Sequence, residues 1–394
     1  MNIINLSPYY YPERLEKRGW WVLLRPIMDD ASSKMKILFL GEPSSPNTMS
    51  WVEGMRDLGC EVVLASVRSD GSDGAWPIGP VSFPPRIRAL LGVGDVKHLI
   101  RDIAPDVMIA YRVTSYGYIA AKSGFHPLVL AAQNEGIVFL RKPSWWRREI
   151  LERFARYAVE RADMLHAWSP NIRDGLLAFG ADEGKILTMH RGIDISGVPE
   201  KPRGGRKFDA GRPVFVSTRS LYPEYRLDLL LKAFRRVLDH IPGARLKIAG
   251  DGPERAELER LRSDLALDEA VEFPGRLPAD ALHTLLRESD IYVSIIATEG
   301  MSSSLIEAVA HGLLPVVWDM PASKTLVENG VNGILVVDDH PDDIAGAMAR
   351  ASAEFAEFES GLAENAARVK SEFDRLKNIG VFLEKYKELR RDVK

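Results

Sequence analysis

The sequence predicts two doubly wound α/β domains in tandem, their parallel sheets facing each other across a cleft. Three observations predict it. At 394 residues the chain exceeds what one hydrophobic core organises, since single cores stop growing near roughly 250–300 residues. Short β-branched runs alternate with helix-length amphipathic segments, the pattern of parallel strands joined by crossover helices. A composition break at 197–212 (GVPEKPRGGRKFDAGR) combines glycine, proline and charge without apolar periodicity and reads as a linker. Beyond it the same alternation begins again.

In order along the first half, strands are expected at 36–40, 61–65, 107–111, 128–132, 164–167 and 185–189. Helices are expected between them at 47–58, 95–103, 115–122, 145–161 and 172–179. In the second half the strands fall at 213–217, 245–249, 270–273, 291–294, 314–317 and 333–337, with helices at 225–240, 253–265, 279–289, 303–312 and 341–355. A last helical stretch, 362–389, is expected to cross back onto the first domain. The expected limits are therefore 35–196 and 213–365 for the two domains, with 366–394 as a C-terminal helical segment. Folds of this kind bind ligands at the carboxyl ends of their strands, so facing sheets put that edge on both walls of one cleft. Residues 1–34 stand outside the scheme. Met35 and the strand after it read as a natural start, while 1–12 (MNIINLSPYYYP) itself resembles a first strand and loop. A displaced start, a fusion remnant and an accessory hairpin all stay open.

Composition narrows the function classes. An apolar fraction of 46% and a charged fraction of 27% are ordinary for a globular enzyme and exclude wholesale disorder. A net charge of −3 gives no reason to expect nucleic acid as a partner. The one cysteine, Cys60, excludes an intramolecular disulfide and a cysteine metal cluster. No run of about 18 apolar residues offers a membrane span, and 1–34 carries charge throughout instead of the apolar core of a secretory signal. The expectation is a cytoplasmic protein. No H-x-x-x-H pattern or carboxylate cluster has metal-ligand spacing, so no metal is expected. Neither G-x-S-x-G nor a G-x-G-x-x-G after the first strand is present, which argues against a serine hydrolase and a dehydrogenase.

The most informative segment is 298–312, TEGMSSSLIEAVAHG. Glu299 and Glu307 stand eight positions apart, one before a helix and one on it. The N–H groups at the start of that helix favour an anion such as a diphosphate. A carboxylate one or two turns in can accept paired hydrogen bonds from a vicinal diol, and one on the preceding loop can do the same for a sugar ring. Taken alone, the two glutamates read equally as a helix-dipole residue and a solvated helix position.

Residues 210–345 closely resemble the retaining GT-B glycosyltransferases of family four, and 36–195 resemble them more loosely. The likeness is carried in order by VSTRSLYPEYRLDLLLKAF, ARLKIAGDGPERAELERL, VEFPGRLP, SDIYVS, EGMSSSLIEAVAHGLLPVV and NGVNGILV. Its centre is the E-x7-E motif, matched by Glu299 and Glu307. The resemblance implies that Glu299 contacts the donor sugar and Glu307 the nucleotide ribose. It implies that the backbone of Gly300, Met301, Ser302 and Ser303 cradles the sugar and diphosphate. Arg219 and Arg226 match the family's paired basic residues, whose fixed charge stabilises a departing diphosphate. Here the second falls in Glu224-Tyr225-Arg226, one residue longer than the family pattern. Arg276 and Leu277 lie where the family holds the base, largely through backbone. Gly250-Asp251 opens a turn that fits either a nucleotide-proximal loop or a plain strand–helix connection.

On the first domain, 41–47 (GEPSSPN) replaces the family's double-glycine loop; Ser44 and Ser45 suit a phosphate or an ordinary connection. Where the family often carries a histidine facing the donor sugar, this chain has Gln133 and Asn134. His126 and His190 read as structural. The stretch 139–161 mixes Trp145 and Trp146 with arginines, which suits either an anionic membrane surface or a core-facing helix with a solvated basic side. The expected function is transfer of a sugar from a nucleoside-diphosphate sugar, with retention, to a saccharide or lipid-linked acceptor. The nucleotide-sugar is the co-substrate and no cofactor is expected. A non-catalytic nucleotide-sugar-binding subunit is the alternative.

Overall fold

The structure, a computed structural model, describes residues 34–132, 145–296 and 301–392. In the first half β1 (Lys36–Leu40), β2 (Glu61–Ser66), β3 (Trp76–Pro77), β4 (Val107–Tyr111), β5 (Leu128–Ala132), β6 (Met164–Ala167) and β7 (Ile186–Thr188) form a 7-stranded sheet in the order β3-β2-β1-β4-β5-β6-β7. All pairings are parallel, with Phe39 opposite Leu64 on one side and Ile109 on the other. Strands β4 and β5 are buried at every position, as a sheet covered by helices on both faces requires. Those helices are α1 (Pro46–Asp57), α2 (Pro85–Leu91), α3 (Val93–Ile103), α4 (Tyr116–Ser123), α5 (Trp145–Arg161) and α6 (Pro170–Ala178). The strand order reverses between β1 and β4, which is where an open sheet of this kind leaves a crevice.

The second half repeats the plan. Strands β8 (Val214–Ser217), β9 (Arg245–Ile248), β10 (Val271–Glu272), β11 (Ile291–Ser294), β12 (Leu314–Trp318) and β13 (Ile334–Val336) form a 6-stranded parallel sheet in the order β10-β9-β8-β11-β12-β13. Its crevice lies between β8 and β11. The helices are α7 (Leu227–His240), α8 (Arg255–Asp264), α9 (Ala279–Arg287), α10 (Ser303–Ala310), α11 (Pro321–Lys324), α12 (Pro341–Ala353), α13 (Phe355–Glu372) and α14 (Arg375–Asp392). Residues 197–212 are stitched to this sheet: buried Asp290 accepts from Arg203 at 3.1 Å, Arg206 at 2.6 Å and the Val214 amide at 2.9 Å.

Two readings need correction. Strand β3 and helices α2 and α11 were not expected: 74–92 is so punctuated by glycine and proline that neither period shows, and α11 is only 4 residues long. The single helix expected at 362–389 is two. The chain breaks at Phe373-Asp374, where Ile193 donates its N–H to the Phe373 carbonyl (2.8 Å) and accepts from the Arg375 N–H (2.9 Å). Gly192 has φ 87°, and a Cβ there would sit 2.5 Å from the Arg375 nitrogen, so only glycine lets the two segments touch. Past the break, α14 lies on α1. Ile379, Phe382, Leu383 and Tyr386 join the first core, and Tyr386 bonds His166 at 3.0 Å. Each such side chain contributes about 1.5–3 kcal/mol. The first domain thus includes the end of the chain in its core.

Candidate functional site

Helix α10 starts on the carboxyl edge of the second sheet. Ser302 caps it by accepting from the Leu305 N–H at 3.3 Å, and its first turn carries no acid. Buried Leu305, Ile306, Ala308 and Val309 bind the helix to the sheet, so its direction is set by packing. Its N-terminal N–H groups and dipole make this edge receptive to an anion.

Arg219, just past β8, faces the same crevice. It is 6% exposed, donates from Nε to Ser294 Oγ (3.0 Å) and from Nη1 to Ser304 Oγ (2.9 Å), and lies 4.9 Å over the Tyr225 ring. Ser304 is held in turn by Tyr292 at 2.9 Å and Ser302 at 3.0 Å. Hydroxyls thereby fix the guanidinium against the start of α10.

Glu307 sits in the second turn of α10, half-buried, and among the described residues its carboxyl accepts no hydrogen bond. Burial raises its pKa to about 7; Arg191 and Arg219 oppose the rise and Asp194 adds to it. A ligand donating hydrogen bonds to the carboxylate would favour its charged form.

Sequence reasoning missed Arg191. It is 4% exposed and reaches both domains: Nη2 bonds Asn47 (2.6 Å) and Ser303 (3.2 Å), and Nη1 bonds Ser50 and the Gly192 carbonyl, both at 2.9 Å. Burial lowers its pKa, and it stands 5.5 Å over the Trp168 ring. The only sign in the text was a charge just before the linker, and burial is not readable from one residue.

The structure brings Arg219, Met301, Ser302, Ser303 and Glu307 together. Arg226 stands apart: in a left-handed conformation (φ 51°), it pairs with Asp339 at 2.7 Å. Gly250 answers to packing, since a Cβ would fall 2.1 Å from the Arg219 carbonyl, and the Leu221 N–H bonds the Asp251 carbonyl at 3.0 Å. That turn therefore props the loop carrying Arg219. Arg276 is exposed, and Leu277 packs against the cluster containing Met301 and Leu305. Ser45 caps α1, and Ser44 donates to Glu42 at 3.2 Å. Glu299, Gly300, Gln133 and Asn134 lie outside the described residues, as does 139–144. His126 pairs with Asp163 at 2.7 Å, while His190 is buried against Trp168. On α5, Arg148 and Arg153 pair with Glu152 and Glu149 one turn away. Among the described residues no three His, Cys, Asp or Glu side chains group as metal ligands, and no helix is long and apolar enough to cross a membrane.

Two parallel sheets, the second with a cation-lined helix start at its switch point, have counterparts among known proteins. Residues 200–369 match the family model "Glycosyl transferases group 1" and 36–169 match "Glycosyl transferase 4-like". Each half thus matches a glycosyltransferase family model, and the fold they share is GT-B. It is similar to sulfoquinovosyl transferase SQD2 of Arabidopsis thaliana, 25% identical over 68% of this chain and 54% of that protein. It is 26% identical to the putative colanic acid biosynthesis glycosyltransferase WcaL of Escherichia coli (strain K12), over 54% of this chain and 53% of that one. The matched segments thus span about half the length of these relatives. In fold it resembles the crystal structure of Anabaena Alr3699/HepE in complex with UDP and glucose, with a TM-score of 0.72 and 19% identity over 90% of this chain and all of that one.

Proposed function

We propose that the protein transfers a sugar from a nucleoside-diphosphate sugar, with retention, to a saccharide or lipid-linked acceptor in cell-surface polysaccharide or glycolipid synthesis. The observation that carries this reading is the convergence of Arg219, Arg191 and Glu307 on the capped start of α10. In the proposed complex Glu307 accepts from the ribose diol and the N–H groups at 301–303 meet the diphosphate. Arg219, with Arg226 brought round from Asp339, neutralises that diphosphate as it leaves; Glu299 and Gly300 hold the sugar. The bond from the anomeric carbon to the diphosphate breaks, a bond to an acceptor hydroxyl forms on the same face, and the hydroxyl proton passes to the released diphosphate. Charge that develops on the leaving group meets cations already in place, which is where fixed groups accelerate most. The reading uses no metal. Gly250, Asp251, Arg276 and Leu277 flank the nucleotide. Ser44, Ser45, Gln133 and Asn134 face the acceptor, and 139–161 touches the inner face of an anionic cytoplasmic membrane. SQD2 and WcaL, by their names, and HepE, by its bound UDP and glucose, support the class of reaction.

Release of nucleoside diphosphate from UDP-, GDP-, ADP- and dTDP-sugars by the purified chain, wild type and Glu299→Ala, tests this. Turnover with one donor, abolished in the variant, is expected. Nucleotide binding without turnover on any acceptor would instead favour a non-catalytic subunit.

A further inference from the structure

The crevice of the first sheet holds a charge cluster that the preceding reading does not use. Glu42, just past β1, is almost buried. Its two carboxylate oxygens take Arg68, past β2, and Arg112, past β4, each at 3.1 Å. Both guanidiniums still face outward, with side chains 56% and 44% exposed. Among the described residues, two cations over one carboxylate leave a positive charge unbalanced. The start of α1 next to Glu42, 12 residues long with no acid in its first turn, adds to it.

Arg112 is also strained. Its φ is 101°, a region L side chains rarely adopt, and its backbone is pinned at both ends. Its N–H bonds the Ala131 carbonyl at 3.2 Å and its carbonyl accepts from the Gly117 N–H at 2.9 Å. Strain of this kind gathers at working sites. Here it turns an arginine toward the crevice.

Strand β3, which pairs with β2 ahead of Arg68, begins a stretch rich in exposed apolar side chains. Trp76, Val81, Phe83, Ile87, Leu90 and Leu91 are all exposed, Leu90 by 58% and Trp76 by 55%. They belong to the edge strand β3, the loop after it and α2. The exposure is not looseness, because α2 is anchored from below. Buried Arg88 donates to the Ile78 carbonyl at 3.0 Å and the Ser69 carbonyl at 2.7 Å, and the Gly79 N–H bonds Asp95 at 2.7 Å. The bond to Ser69 fixes α2 one residue from Arg68. Several exposed apolar side chains on a held segment mark an interaction site, and the Arg88–Ser69 bond ties this one to the residue next to Arg68. Anionic head and apolar chain are the two parts of an amphiphile.

We propose that Arg68 and Arg112, braced by Glu42, bind the phosphate of a membrane-borne, lipid-linked acceptor whose apolar chain lies along the exposed face of 76–91. This rests on the transferase reading and names its acceptor class. A guanidinium fork suits phosphate oxygens, and each arginine has N–H donors beyond the one on Glu42, so both can take phosphate while the carboxylate contact holds them in place.

The test is binding of farnesyl phosphate, with farnesol and inorganic phosphate as single-feature probes, to the full chain by calorimetry. Farnesyl phosphate should bind at least about tenfold more tightly than either probe. Arg68→Gln with Arg112→Gln should bring its affinity down to that of farnesol, and Phe83→Ser with Leu90→Ser to that of inorganic phosphate. Arg68→Lys with Arg112→Lys, which keeps Glu42 compensated, should fall between and covers the case in which the glutamines unfold the protein. Inorganic phosphate binding as tightly as farnesyl phosphate, or undiminished binding in both arginine pairs, overturns the proposal. Stabilisation by nucleoside diphosphates, measured on the same proteins, separates the two readings. If it persists while the lipid arms fail, only the acceptor assignment falls; if the wild type lacks it, the transferase reading falls first.

Discussion

The two sheets reverse their strand order in the same way, yet they present arginine at the switch point in opposite styles. On the second sheet Arg219 is 6% exposed and anchored through the hydroxyls of Ser294 and Ser304. On the first, Arg68 and Arg112 are about half exposed and share the carboxylate of Glu42. A buried, oriented cation keeps its field, because little water is there to screen it. Exposed cations already paired with a carboxylate are screened by water, so one further ionic partner yields little. In the proposed reaction that difference suits one wall to charge that develops on a leaving group and the other to an acceptor group that comes and goes.

The comparison breaks most visibly at Arg219. Arg219→Met should lower turnover by at least about a hundredfold, the scale for one fixed group facing developing charge. Arg112→Gln should lower it only about tenfold, mainly through acceptor KM. Equal losses in steady-state assays of the two would erase the distinction. Next in size is Gly250→Ala. The added Cβ meets the Arg219 carbonyl at 2.1 Å, backbone that cannot step aside cheaply. A cost of about 1–3 kcal/mol is expected in urea unfolding, with weaker nucleotide binding because the Arg219 loop shifts.

Glu307 sharpens the contrast through pH. Its pKa rises from 4.5 in the ordinary carboxyl to about 7 in the folded protein, chiefly by burial. Within that window the folded state holds the proton that the unfolded chain has released. The Glu307 contribution therefore turns progressively against the fold as pH rises from 4.5 to 7. The melting temperature of Glu307→Gln should fall less steeply than that of wild type over this range; parallel curves would remove Glu307 from the buried cluster. The smallest effect belongs to Arg226. Its partner Asp339 is exposed, so Arg226→Gln should change stability by no more than about 1 kcal/mol, and nucleoside-diphosphate affinity less than Arg219→Met does.

Much of the fold was legible because parallel strands are short apolar runs bounded by turns. β1, β4, β5, β6 and β11 occupy the residues expected of them. One miss has a local cause and the other a distant one. Prolines 77, 80, 84 and 85 hide β3 and α2, and the break at Phe373-Asp374 is imposed by Ile193, 180 or so residues earlier, through backbone bonds that no local propensity reports. Within the site, α10 and the loop leading to it were readable from one contiguous motif. Arg191 was not, since its partners Asn47 and Ser303 lie far from it in sequence. The cluster of Glu42, Arg68 and Arg112 was hidden for the same reason: three residues from three strand ends become neighbours only when β2, β1 and β4 pair.

The central claim is that the edge holding Arg219 and Glu307 binds a nucleoside diphosphate. Thermal unfolding of wild type and Glu307→Ala with UDP, GDP, ADP, dTDP and CMP tests it most directly. One nucleoside diphosphate, at about 100 times its dissociation constant, should stabilise the wild type by roughly 2.7 kcal/mol, and the variant should lose the effect. No shift with any nucleotide, or an equal shift in the variant, would contradict it.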